Sequence, residues 1–150
     1  MTYREMLLVL HIIGAGAWLG ANVVQAVVPP AAARIGAATL AGWYRLTSVL
    51  SKRLYMPAAL LILITGVALV IDSDAYGFGS TFVTIGFGMI ILGALFGIVI
   101  FGPGGERAAE AVESEDHGMI RSAVSRLTAW GLVDTLLLIF TITAMVLRLD

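Results

Sequence analysis

His11, Trp18, Asn22 and Gln25 follow one another at steps of 7, 4 and 3 inside an otherwise apolar run. Those steps put all four on one face of a helix. A second stripe, Gly131, Asp134, Leu138, Thr141 and Met145, repeats at steps of 3, 4, 3 and 4. An imidazole among apolar residues can ligate haem iron or copper, or carry a proton. Its plain alternative is a neutral ring bonded to a neighbouring hydroxyl or carbonyl. A lone carboxyl such as Asp134 can relay a proton or a cation, or serve structurally through a bond to Asn22 or Thr135. For haem b, His11 would be one axial ligand, with Trp18 beside it. The second ligand would be Met145, Met89 or the His11 of another copy. Copper(I) prefers several thioethers or thiolates, and the six methionines form neither a Met-x-Met run nor a cluster around a histidine.

Other chemistries find little to work with. There are no cysteines, which excludes disulfides, thiolate metal sites and thiol catalysis. No glycine-rich phosphate loop, nucleophile elbow or pair of carboxylates is present. The second histidine, His117, falls in a polar turn over 113–118 and reads as solvated. Asp72 and Asp74 read as a solvated acidic turn. These observations favour a binding or accessory protein over an enzyme. A net charge of −1 offers no basic field to recruit nucleic acid.

The elements that carry the two stripes are set by composition. Hydrophobic residues make up 59% of 150 and charged residues 13%, with a mean hydropathy of +0.97. A soluble fold of this size could not hide so much apolar surface, because small domains keep a high ratio of surface to volume. Four apolar runs, 6–28, 54–71, 82–101 and 127–147, are 23, 18, 20 and 21 residues long. A helix crosses a ~30 Å hydrocarbon core with about 20 residues, and backbone polar groups in lipid require helices or closed barrels. The expectation is a single all-α domain over 1–150, a four-helix transmembrane bundle in the lipid bilayer. Pro29-Pro30 is expected to end the first span and Gly102-Pro103-Gly104-Gly105 to stop the third.

Orientation follows from Lys and Arg. Arg34, Arg45, Lys52, Arg53, Arg107, Arg121 and Arg126 lie in the two long connections, while only Arg4 and Arg148 lie on the other side. Seven against two places both connections in the cytoplasm and both termini outside, in a plasma membrane of bacterial type. Segment 38–52 is expected to be helical, lying on the membrane or extending the second span, and 107–112 is helix-like. Asp134 enters about 10–11 Å deep from the cytoplasmic side and His11 ~8 Å from the outer side, at 1.5 Å per residue. The two therefore differ in height by roughly 10 Å in a ~30 Å core. Asp134 is closer in height to Trp18 and Asn22, and His11 is level with Thr141 and Met145. The first and fourth spans are expected to meet along their polar stripes. Gly16-x-x-x-Gly20 and Gly93-x-x-x-Gly97 permit close helix approach, either inside one bundle or as the seam of a homodimer or larger membrane complex.

The segment Leu10-His11-Ile12-Ile13-Gly14-Ala15-Gly16-Ala17-Trp18-Leu19-Gly20 resembles the first helix of several small bacterial membrane families. In these a Leu-His pair precedes a tryptophan seven residues after the histidine, then a glycine. The nearest is a family of integral membrane proteins of unknown function, which the Leu61-x-x-x-Thr65-Gly66 ending of the second span also resembles. More distant are the copper-resistance D family and the membrane protoporphyrinogen oxidases. The last resemblance implies haem binding through His11, with Trp18 as companion. The oxidases follow their tryptophan with a Pro-Arg pair, whereas here no arginine occurs before Arg34. The copper-resistance relatives typically have more helices.

Overall fold

The structure is a computed structural model and describes residues 1–149. The described residues form four helices long and apolar enough to cross a membrane: α1 (Tyr3–Ile35), α2 (Ala37–Ile71), α3 (Thr81–Glu113) and α4 (His117–Leu147). Each is about 31 to 35 residues, roughly 47 to 52 Å at 1.5 Å per residue. That exceeds the ~30 Å core by more than three turns. The bundle therefore has an apolar half that carries the two polar stripes and a second half that projects beyond it. This architecture is compatible with a multi-pass membrane protein, and Ile12, Val27, Ile64, Ile91, Ile98 and Leu132 are exposed on its outside.

Local chemistry explains where the helices begin. Thr2 caps α1, its hydroxyl accepting from the Glu5 N–H at 3.2 Å while the Glu5 carboxylate accepts from the Thr2 N–H at 2.8 Å. This reciprocal box satisfies two backbone donors that a helix start leaves open. Asp116 caps α4 by accepting from the Met119 N–H at 2.9 Å. His117 is therefore the first residue of that helix rather than part of the preceding turn, and it is exposed.

Both expected stops are corrected. Pro29 and Pro30 lie within α1, which runs on to Ile35. Prolines remove donors to the carbonyls four residues earlier, but these two sit at the edge of the apolar run, where water can satisfy the freed carbonyls. The break falls at Gly36, whose φ of 152° is a conformation that side chains disfavour. One residue thus reverses the chain between α1 and α2. The Gly102–Gly105 segment likewise continues helical in α3. Its glycines serve close approach instead. A Cβ on Gly105 would meet the Thr47 hydroxyl and come to 3.2 Å from the Tyr44 carbonyl oxygen of α2, and one on Gly104 would come to 2.6 Å from Leu127 of α4.

Packing differs between the two halves. In the apolar half α1 lies between α2 and α4, α4 lies between α1 and α3, and α2 and α3 touch little. In the projecting half α2 packs directly along α3, and α3 along α4. Ala108, Ala109 and Ala111 are fully buried there, with Tyr44 of α2 packed on the first two. Segment 38–52 therefore extends the second helix, one of its two expected dispositions. The change of partners coincides with π-helical turns at Ser51–Tyr55 in α2 and Gly97–Phe101 in α3. An inserted residue rotates everything beyond it by about 100°, so each helix can present a different face to each half.

The ends are pinned by charge. At one end Arg4 donates to the Tyr76 hydroxyl at 2.6 Å and to the Asp72 carbonyl at 3.2 Å, and lies 3.7 Å from the Asp72 carboxylate. Arg148 and Arg4 both stack over the Tyr76 ring, and the Phe82 N–H donates to the Leu149 carbonyl at 3.1 Å. At the other end Arg45 of α2 grips the Glu113 carboxylate of α3 through bonds of 2.7 and 2.8 Å. The guanidinium beside Glu113 holds its carboxyl below the usual range.

Three outcomes are expected. Gly105→Leu should destabilise the detergent-solubilised protein by about 1–3 kcal/mol through overpacking, read as a lower thermal midpoint. Gly42→Ala, where a Cβ meets nothing within 4 Å, should leave it unchanged or slightly raised. The contribution of the Arg45–Glu113 pair should be present above the ordinary carboxylate pKa and fade as pH falls through the depressed value. Glu113→Gln should therefore remove that contribution at neutral and alkaline pH and flatten the acid side of the stability profile below about pH 4.

Candidate functional site

Asp134 is buried, 3% exposed. Its Oδ2 accepts from the Trp18 indole N–H at 3.1 Å and from the Asn22 amide at 2.8 Å. The Asn22 carbonyl oxygen in turn accepts from the Tyr55 hydroxyl at 2.9 Å, and Gln25 lies beside that hydroxyl. Three helices thus converge on one carboxyl: α1 supplies Trp18, Asn22 and Gln25, α2 supplies Tyr55, and α4 supplies the acid. The polar stripes of α1 and α4 do meet, and Asp134 does lie level with Trp18 and Asn22. Thr135 is not its partner, because its hydroxyl donates to the Gly131 carbonyl.

Each side chain has a local reason for its position. Trp18 is 4% exposed and packs with Met89 and Leu138. Its ring overlies Gly93 of α3 so closely that a Cβ there would collide with the indole. The glycine is therefore a seat for the tryptophan. Tyr55 closes the π turn of α2 and meets Trp18 edge-on, with ring centroids 6.2 Å apart. Tyr55 lies outside both polar stripes of the sequence. Its part in the network depends on the π turn, which residue periodicity does not reveal.

Both donors onto Asp134 reach the same oxygen. Oδ1 is buried and has no partner among the described residues. A buried oxygen without a hydrogen bond is uncommon, and here it leaves one side of the carboxyl open to a proton, a water or a small cation. The two ion pairs among the described residues, Arg4–Asp72 and Arg45–Glu113, lie at the ends of the bundle.

His11 belongs to a separate site. Its Nδ1 lies 3.0 Å from the Thr65 hydroxyl of α2, and that hydroxyl donates its single proton to the Leu61 carbonyl at 2.5 Å. Thr65 must then accept, so the network assigns the proton to Nδ1 and leaves the lone pair on Nε2. The half-buried ring packs on Gly66, where a Cβ would come to 3.2 Å from Cε1. This is the hydroxyl-bonded neutral arrangement weighed for His11, and its partner lies on the second helix rather than at Thr141. The buried Thr141 hydroxyl donates to its own helix at Leu137. Met145 presses its methyl on Gly86 of α3 and packs with Val70, Phe82 and Val83.

The donor set does not fit a haem within one chain. Met89 is buried against Trp18 and Leu138, Met145 packs on α3, and the histidine ring itself lies against Gly66. Copper fares no better with one imidazole, and no group of three His, Cys, Asp or Glu stands together among the described residues. No family model, curated protein or solved structure matches this chain. The likeness of the first helix to known families therefore rests on its own residues.

Substitutions separate the parts of the network. Asp134→Asn keeps an acceptor for Trp18 and Asn22 and should change stability little. Asp134→Leu strands both donors and should cost about 1–2 kcal/mol, since intramembrane hydrogen bonds average ~0.6 kcal/mol each with a maximum near 1.7. Trp18→Phe combined with Asp134→Leu should cost less than the sum of the single changes. Additivity in a thermal double-mutant cycle would mean that the indole–carboxyl bond contributes nothing.

Proposed function

We propose that this chain is an accessory subunit of a membrane complex, held rigid by its internal polar network and docking a helix of another subunit on the outer face of α1. The observation that carries this reading is the state of two glycines. Gly16 and Gly20 are exposed, and a Cβ on either would meet nothing within 4 Å. Gly14, on the same helix, would place a Cβ 2.8 Å from Ile62. In the apolar half the glycines covered by neighbouring helices include Gly14, Gly66, Gly86 and Gly93, and the Gly16-x-x-x-Gly20 notch is left over.

The surroundings of the notch support a helix as its occupant. At 100° per residue, Val9, Ile12, Ile13, Val23 and Val27 share the notch's side of α1, and all are exposed. His11, Trp18, Asn22 and Gln25 occupy the opposite side. Exposed glycines flanked by β-branched residues let a second backbone come close, which is how helices associate in lipid. A second copy docked there would hold the two His11 rings apart, on the far sides of their helices. The charge asymmetry of the connections supports a plasma membrane orientation with both termini outward.

Gly16→Ile with Gly20→Ile should leave thermal stability unchanged, because both side chains project outward. The same pair should abolish a cross-linked or larger species that the native protein forms in membranes treated with a photoreactive cross-linker. A native protein that stays uncross-linked and runs as a lone monomer in mild detergent would overturn the proposal.

A second reading, proton exchange at Asp134, is favoured by the open Oδ1. It predicts a pH-driven flux in proteoliposomes that Asp134→Asn removes while stability holds. Equal flux in empty vesicles and in vesicles carrying the native protein would dismiss it.

A further inference from the structure

A groove of about 350 Å³ runs between α3 and α4 just beyond the apolar half. Its walls include Val99 and Ile100, which close the third apolar run, and Leu127, which opens the fourth. Arg107, Arg126 and Ser122 line it as well. The groove thus straddles the level at which hydrocarbon gives way to headgroups: apolar on one side, guanidinium and hydroxyl on the other.

Charge around α3 is sorted by face. Glu106, Glu110 and Glu113 share one side of the helix, and all three act on Arg45 of α2. Arg107 is turned about 100° from Glu106 on helical geometry and lines the groove instead. No Asp or Glu lines it, and neither Arg107 nor Arg126 forms an ion pair among the described residues. Two guanidiniums without counter-charges, on neighbouring helices at the edge of an apolar surface, match a phosphate diester whose acyl chains run back along Val99, Ile100 and Leu127. Arginine suits that role because its planar fork can bond two phosphate oxygens at once. Basic pockets between helices at this level are general features of anionic lipid recognition.

We propose that the Arg107–Arg126 groove binds the headgroup of an anionic phospholipid from the leaflet at the end of the bundle that carries the α1–α2 and α3–α4 turns. Each arginine near an anionic surface strengthens lipid binding by about 1 kcal/mol. Removing both should therefore weaken binding roughly twenty- to thirty-fold.

The test is titration of delipidated, full-length protein in detergent with phosphatidylglycerol or with phosphatidylcholine of the same chains, followed by native mass spectrometry. Native protein should retain phosphatidylglycerol in preference to phosphatidylcholine. Arg107→Gln with Arg126→Gln should lose that preference, while Lys52→Gln with Arg53→Gln, on α2 outside the groove, should keep it. Retention of both lipids alike by native protein would overturn the proposal, as would an undiminished preference in the arginine variant. Displacement of the lipid by excess inorganic phosphate would reassign the groove to free phosphate, and so would also overturn it. Should the double glutamine variant fail to fold, Arg107→Ala alone should weaken phosphatidylglycerol binding about fivefold, and the selectivity of the native protein decides independently.

Discussion

Hydrocarbon offers no hydrogen-bond partner, so a carboxyl on a membrane helix must find its donors on other helices. Asp134 finds them on α1, at Trp18 and Asn22. That requirement fixes how far α4 can slide along α1 and which way each helix is turned. It reaches further through the donors. Trp18 needs a neighbouring backbone without a side chain, and Gly93 of α3 supplies it. Asn22 must satisfy its own carbonyl, and Tyr55 of α2 does so from the end of a π turn. One acid thus constrains all four helices, with geometry alone where α3 makes no bond of its own to the site.

The two halves of the bundle solve different packing problems. In the apolar half, side chains face lipid outside and interlock inside through a few large residues and the glycines beneath them. Beyond it the helices face solvent and pack through alanine and glycine at short range. In α2 and α3 the face that packs changes between the halves, and the π turns supply the rotation. That is why residues that look like terminators in the sequence, the glycines and proline at 102–105, mark a change of packing within a continuing helix.

Much of this was legible in the residues. Apolar run lengths gave four spans, and steps of three and four gave the polar faces of α1 and α4 and their meeting at Asp134. These features follow from local periodicity, which survives whatever the rest of the chain does. What was hidden depends on neighbours. Pro29-Pro30 and Gly102–Gly105 have strong intrinsic tendencies to end helices, and tertiary packing overrode them. His11 was matched by depth to Thr141 and Met145 of the fourth helix, but depth says nothing about azimuth, and the ring turns to Thr65. The exposed state of Gly16 and Gly20 was equally invisible, since a glycine pair reads the same whether its notch is filled or open.

The partners of Asp134 lie 112 and 116 residues earlier in the chain, on the first of the four helices. As helices leave the ribosome and enter the bilayer in order, Trp18 and Asn22 arrive long before their acceptor exists. Until α4 follows, α1 carries polar groups in lipid that only water, chaperones or transient neighbours can satisfy. A chain halted after its third helix would display that exposed polarity, a chemical mark by which membrane quality control could tell an unfinished molecule from a finished one.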